Sequence, residues 1–512
     1  MKKYFVVFLM LLVQNNISNV AYSANYYFDS VQGKDCNMGN NPEHALRSLS
    51  KIKGLRFFPG DSILLKSGCI FKEKLFFSGK GSEANPIVIG KYGGKAFPHL
   101  KGNASEMEMV HIYNSEHIVV KDLEISNKGT RIRPRISGLL VEIHNYGKAD
   151  DIIIDHLYIH DVYGSLLKGE GYKSKDAGGG QAMMLRNYRE DKTDTVLSYF
   201  NGLTVENCHI KDCQRNGIIM WGNWMRHQWL PNLRVLIKNN IVEGVPGDGI
   251  VPTACDGAIV EYNVMKNCPP VLPATEACDG IWPFSSDNTT VRYNIVSDHK
   301  SQTDGYAYDS DYNCINSVFE YNLSYNNEGG FLLLCNSGGW PKIWSVGNVG
   351  TIVRYNVSIN DGIRKHIVKE KQHSYYSPVI HITGPTQNSR LCDNIFYLPK
   401  KELPNMDKRL IHSDSWRGYA DSTFFQNNYI YVEEATKAAE WTSSTNNFVS
   451  GNKYVGDLES NNIGFMRYHG AFNKEMWYNG NDANWRKLVN FLEGKSIIYH
   501  GKKESVLKIL GY

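Results

Sequence analysis

A short motif recurs along this chain: an apolar residue, two polar or aromatic residues, an Asn, and a further apolar pair. It reads VENCHI from Val205, IKNNIV from Ile237, VEYNVM from Val260, VRYNIV from Val291 and FEYNLS from Phe319. It continues as VRYNVS from Val353, LCDNIF from Leu391 and FQNNYI from Phe425, with looser copies VKDLEI from Val120 and IDHLYI from Ile154. The column so defined is Asp122, His156, Asn207, Asn240, Asn263, Asn294, Asn322, Asn356, Asn394 and Asn428. From Asn207 onward its members are 23 to 38 residues apart, the range in which repeats mark solenoids, each unit burying its apolar face only against its neighbours.

The choice of Asn has a physical reason. A coil of stacked parallel strands needs a sharp turn, and Asn tolerates the left-handed conformation there. Stacked side-chain amides can also hydrogen-bond from coil to coil. Between the Asn positions lie runs of strand length, such as Phe331–Leu334 and Val379–Thr383, rather than helix length. A leucine-rich repeat would carry a Leu-x-x-Leu-x-Leu frame, and a propeller would carry antiparallel hairpins; neither pattern is present. The expected fold is all-β, a right-handed parallel β-helix with an N-terminal capping segment and a mixed C-terminal extension. Uneven spacing implies loops of different lengths leaving a regular core, where a groove can be built. The expected divisions are a leader at 1–23, a cap and first coils at 24–100, the β-helix at 101–435, and an extension at 436–512 that packs on the solenoid and contains a helical pattern from Trp485 to Leu492.

The leader is read from Lys2 and Lys3, an apolar run from Tyr4 to Val13, and Ala21-Tyr22-Ser23, the charged, apolar and small-residue order of a secretory signal. The expected location is therefore secreted, periplasmic or extracellular. The apolar run is too short to span a bilayer, and no later run is long enough. Without the leader's two lysines the formal charge falls from +4 to about +2, which supplies no bulk attraction to nucleic acid. Ten cysteines in this length are too few for a disulfide scaffold. Cys36 with Cys69, or Cys208 with Cys213, are conceivable pairs, but buried thiols are the expected state of most.

Aligning the coils brings up a second column: Asn216, Asp248, Asp279 and Asp304, each followed by Gly, with Glu328 just before the matching glycine of the next coil. A third column is expected at Asn223, Asp256, Asp287, the pair Asp309 and Asp311, and Asn336, with Trp221, Trp224, Trp282, Phe284, Tyr306, Tyr308 and Tyr312 interleaved. Asp-Gly is a common turn pair, so any one of these acids has an ordinary structural explanation. Carboxylates stacked at the ~4.8 Å strand spacing repel each other. A cluster of them beside aromatic faces suits a site that perturbs a carboxyl group, holds a cation, or both.

The opening segments, YYFDSVQGKDCNMGNNPEHALRSLSKI from Tyr26, PGDSILLKSGCIF from Pro59 and NPIVIGKYG from Asn85, resemble those of β-helix carbohydrate-active enzymes of the pectate-lyase-like superfamily. That resemblance implies an enzyme acting on a polysaccharide or oligosaccharide. It is similar to the β-helix glycoside hydrolases, in which carboxylates on adjacent coils do the work, although the Asn-Thr-Asp, Asp-Asp, His-Gly and Arg-Ile-Lys series of polygalacturonases is absent. The expected catalytic residues are Asp304, Asp309, Asp311 and Glu328. Asp279, Trp282, Tyr306, Tyr308, Trp221 and His299 are the expected substrate contacts, and no metal or cofactor is expected. The alternative is a polysaccharide lyase acting on a uronate, with Ca²⁺ held by Asp279, Asp287, Asp309 and Asp311; a non-catalytic glycan-binding solenoid is a further alternative.

Overall fold

A computed structural model describes residues 23–130, 133–166, 179–189, 193–273, 275–366, 378–398, 409–441 and 447–459. The leader, apart from Ser23, and the stretch from Trp485 to Leu492 lie outside the described residues.

The chain winds as a right-handed parallel β-helix with three sheet faces. One turn illustrates the design. Val318–Glu320 runs along the first face, the chain turns at Asn322, Leu323–Tyr325 forms the second face, and Gly330–Cys335 forms the third. Each strand pairs in parallel with its equivalents one coil below and above, as Phe319 does with Val291 and Val353. Alternation along the strands sends Ile152, Ile154, Leu203 and Val205 into the coil. Inside, Tyr308, Phe331, Phe396 and Phe425 form a file of rings with centroids 5.8–6.1 Å apart.

The Asn ladder is present, and its geometry refines the expectation. Asn240, Asn263, Asn294, Asn322, Asn356, Asn394 and Asn428 are buried. The side-chain oxygen of each accepts from the backbone N–H of the column member before it, as Asn356 Oδ1 does from Asn322 N at 2.9 Å and Asn394 Oδ1 from Asn356 N at 3.0 Å. The left-handed turn, however, belongs to the preceding residue: Asn239, Tyr262, Tyr293, Tyr321, Tyr355, Asp393 and Asn427 have φ of 56–58°. Asp122, His156 and Asn207 share that positive φ, so they align with Asn239 and stand one residue out of the Asn column. The bond from Cys208 N to Asn240 Oδ1 fixes this register. The left-handed tyrosines stack on one another outside the coil, Tyr262 to Tyr293 to Tyr321 to Tyr355, at 5.0–5.2 Å.

At the N-terminal end, Asn25–Phe28 pairs with Ser62–Lys66, and two short 3₁₀ turns, Pro42–His44 and Leu49–Gly54, cover the coil mouth with Leu49 and Ile52 buried. Strands continue past position 435, to Phe448–Ser450 and Lys453–Glu459, so the solenoid extends into the stretch expected to be an extension. The ten cysteines form no disulfide, and eight of them are buried. Among the described residues, no helix is long and apolar enough to cross a membrane.

Candidate active site

The outer surface of the third face carries the candidate site. Tyr306–Ser310 pairs there with Gly330–Cys335, setting Asp309 beside Leu333. Tyr308 pairs with Ile281 on the other side, so Asp309 follows Trp282 in the column. Alternation points Asp309 and Asp311 outward while Tyr308 points in.

Two carboxylates and a thiol stand together here. Asp311 Oδ1 accepts from its neighbour's backbone amide, Tyr312 N, at 2.7 Å and from the Cys335 thiol at 2.9 Å. Oxygens of Asp309 and Asp311 and the Cys335 sulfur lie within 4.8 Å of one another. Burial pushes the Cys335 thiol far above its ordinary range, helped by Asp309, Asp311 and Asp304, so it is a hydrogen-bond donor and not a thiolate. The Tyr312 hydroxyl is raised in the same way, by burial first and then by Asp311, Cys335, Asp309 and Asp304. Asp309 is buried at 2% exposure; Asp304 and Asp311 are partly exposed. Asp304 occupies a left-handed turn with φ 55° before Gly305, and Arg364 braces the turn by donating to the Asp304 carbonyl at 2.5 Å and to that of Ser301 at 2.6 Å. Tyr312 is framed by Trp340, Trp416 and Phe284, with centroids at 4.8, 5.3 and 5.9 Å.

Several expected members stand elsewhere. The column Asn216, Asp248, Asp279 is a capping ladder: Asn216 Oδ1 accepts from Asp248 N, Asp248 Oδ1 from Asp279 N, and Asp279 Oδ1 from Tyr306 N at 2.6 Å. These carboxylates satisfy backbone donors, and Asp248 also takes the indole N–H of Trp282 at 3.1 Å. Trp221 and Trp282 are themselves covered, packed with Ile219, Val251 and Phe284 in an apolar patch over which Trp224 and Trp340 lie. They are packed into that patch rather than open to sugar. Tyr308 is wholly inside the coil, its hydroxyl donating to the carbonyls of Asn294 and Leu323. His299 is also wholly buried; its amide donates to Asn327, and burial lowers the imidazole from its usual range. Tyr306 is almost fully buried, packed with Leu333 and Cys335. Glu328 turns away to His366, which meets it at 2.6 Å through Nδ1 and 3.1 Å through its backbone N–H. The third column forms only at its Asp256–Asp287 step and does not run on to Asp309 and Asp311. Asp287 pairs with Asp256 and Ile315 and is clamped by Arg226 at 2.6 and 3.0 Å. The four-acid calcium set is therefore not assembled: Asp279 serves the ladder, Asp287 serves Arg226, and only Asp309 and Asp311 share a site, with a thiol for company. Ca²⁺ is bound by oxygen ligands, and the third member of this trio is a sulfur.

Further along the same face lie residues the sequence reading passed over. Leu333 pairs with His381, and His381 with His412. Both imidazoles reach Asp414 at 3.3 Å. Burial favours the neutral Asp414 carboxyl, but the hydrogen bonds from His381 and His412 outweigh it and hold the group well below the usual carboxylate range. The signal was available as IHIT from Ile380 followed by IHSD from Ile411, the same residue pattern in two successive coils.

A closed stack of parallel coils with an acid-lined outer face defines the class, and the sequence family described as right handed beta helix region matches residues 196–349. A curated lacto-N-biosidase from Bifidobacterium longum is similar at 26% identity over 425 residues, covering 66% of this chain and 26% of its own. The chain thus spans about a quarter of that relative's length. Among solved structures, the native GH136 lacto-N-biosidase from Eubacterium ramulus superposes with a TM-score of 0.60 at 22% identity, covering 85% of this chain and 68% of that one. Its selenomethionine derivative gives 0.59. These structures share the fold.

Proposed function

We infer that the chain is a glycoside hydrolase acting on an oligosaccharide, with Asp304 and Asp311 as the pair that meets the substrate. The observation that carries this reading is Asp309 and Asp311 held within 4.8 Å of each other and of Cys335 on the outer face, with Asp304 close enough to act on the same thiol. Exposure divides the roles. Asp304 and Asp311 keep some exposure as residues, whereas Asp309 is buried. Hydrogen bonds to an ionised carboxylate favour that form, and Asp311 takes two. Asp311 is accordingly the base or nucleophile. Asp304 is the acid that delivers a proton to the glycosidic oxygen as the bond to the anomeric carbon breaks. Tyr312, Trp340 and Trp416 offer ring faces to the sugar. Similarity to a protein named lacto-N-biosidase supports both the reaction class and an oligosaccharide substrate.

The test is a panel of oligosaccharides that includes substrates of lacto-N-biosidases, with products followed by reducing-end release and by near-ultraviolet absorbance. New reducing ends without absorbance are expected. Absorbance from an unsaturated uronate would instead establish the lyase, and binding without turnover would establish a glycan-binding solenoid.

A further inference from the structure

On the second face, away from the acidic groove, three successive coils bring together a different set of side chains. His99–Gly102, Glu124–Asn127 and Tyr158–Val162 are parallel neighbours, with His99 directly opposite Glu124. Leu100, Ile125 and Ile159 fill the core, so His99, Glu124 and His160 all project outward. His99 Nδ1 lies 3.4 Å and His160 Nε2 3.1 Å from the same oxygen, Glu124 Oε1, and one donor atom from each residue falls within a 4.8 Å group.

From this arrangement we propose that His99, Glu124 and His160 form a binding site for one first-row transition-metal ion of the Zn²⁺ class. Three features point to a metal rather than to a simple imidazole–carboxylate contact. First, a tetrahedral ion with bonds of ~2.0–2.1 Å holds its donor atoms roughly 3.3 Å apart; the two spacings to Glu124 bracket that value, and the longer exceeds a normal N–H···O bond. Second, the outer nitrogen of each imidazole is already anchored. His99 Nε2 meets Ser126 Oγ at 2.8 Å, and His160 Nδ1 meets Asp161 Oδ2 at 3.0 Å. That is the supporting shell that orients metal-bound histidines and fixes their tautomer. Third, among the described residues the groups within ion-pair distance of Glu124 are those two imidazoles. The cationic side chain of the same strand, Lys101, is exposed to solvent. Two coils further on, the comparable His209–Glu243 contact has Lys211 and Lys266 at 3.6 and 3.2 Å on the carboxylate, so lysines there supply the charge that an ion supplies here. Two imidazoles and one carboxylate select Zn²⁺, Co²⁺, Ni²⁺ or Cu²⁺ over the oxygen-seeking Ca²⁺ and Mg²⁺.

The His381–His412–Asp414 group is the natural competitor, and one contact argues against it. The Arg409 guanidinium lies 3.5 Å from His412 Nδ1. With Nε2 on a metal, Nδ1 of a neutral imidazole carries the proton and faces a donor.

The experiment uses the full chain stripped with a chelator and dialysed. Wild type is titrated with ZnCl₂ by calorimetry, and with CoCl₂ by visible d–d absorption. The same titrations are run on Glu124→Gln, His160→Ala and His412→Ala, each checked for fold by circular dichroism. Expected are one Zn²⁺ per chain, a rise in melting temperature on binding, and a tenfold or greater loss of affinity in Glu124→Gln and His160→Ala but not in His412→Ala. Glu124→Gln keeps the shape of the site, so it decides the matter if His160→Ala fails to fold. No stoichiometric binding by wild type, unchanged binding in Glu124→Gln, or loss confined to His412→Ala would each overturn the assignment.

Discussion

Asp361 is a carboxyl group enclosed in the coil, and replacing it with Asn should make the protein more stable at neutral pH. Its Oδ2 accepts from the Ser324 and Ser358 hydroxyls at 2.6 and 2.7 Å, and its Oδ1 accepts from the backbone and side-chain N–H groups of Asn327 at 2.9 and 3.0 Å. Burial outweighs these four bonds and raises the group from 3.8 to about 6. A folded value above the unfolded one means that the native state binds the proton more tightly. The group's contribution is therefore fully present below pH 4, declines as pH rises toward 6, and is lost above that. At 1.36 kcal/mol per unit the difference is about 3 kcal/mol. Asp361→Asn has nothing to titrate. Its carbonyl keeps the Asn327 bonds, and its NH₂ faces two hydroxyls that can rotate to accept. Calorimetric melting of both proteins from pH 4 to 8 should show curves that agree near pH 4, diverge between pH 4 and 6, and keep a constant gap above pH 6. For a chain of this size the gap should reach about 3 °C in favour of the variant. A gap of the same size at every pH, or one favouring wild type at pH 8, would refute the reasoning.

Other outcomes follow from the site and the ladder. Asp304→Asn and Asp311→Asn should each lower turnover by about a hundredfold or more, the usual loss of a general acid or base, with melting unchanged or raised. Glu328→Gln should cost less than about tenfold on that scale, because its carboxylate serves His366; equal losses in all three variants would count against the division of roles. Asn322→Leu removes a side chain that bonds to Asn294 and Asn356 within the buried ladder, and should destabilise the fold by about 3 kcal/mol or more as read by urea denaturation. Trp340→Ala, which strips one ring from beside Tyr312, should raise KM for the preferred oligosaccharide more than it lowers kcat, without moving the melting temperature.

The β-helix was legible because its repeat is chemical as well as periodic: buried Asn residues that bond in line leave one Asn per coil at a fixed place after a strand. The turn conformation was not legible, since the preference of Asn for left-handed geometry drew attention to the wrong residue. Tyr262, Tyr293, Tyr321 and Tyr355 accept positive φ because ring stacking between coils rewards it. The acidic columns were half legible. Asp309 and Asp311 meet as alternation demands, but Asp248 and Asp279 look the same in sequence and spend their oxygens on amides of the next coil. No local pattern distinguishes a carboxylate that caps a strand from one that faces a groove. The expected third column holds from Asp256 to Asp287 and then breaks, because loops of unequal length set Asp287 against Ile315, and spacing counted along the chain does not register such offsets.

The direction of the Asn ladder bears on how this molecule can change in evolution. Every rung donates toward one end and accepts from the other, so any complete turn presents the same two connectors. A duplicated turn inserted between two others would find its partners ready, and a deleted one would leave ends that match. A partial turn would not, because it would set a strand against a bend. Growth and shrinkage should therefore proceed by whole turns, while the loops that project from them vary independently. Descendants of such a chain can lengthen their groove, or reshape its walls, without renegotiating the core.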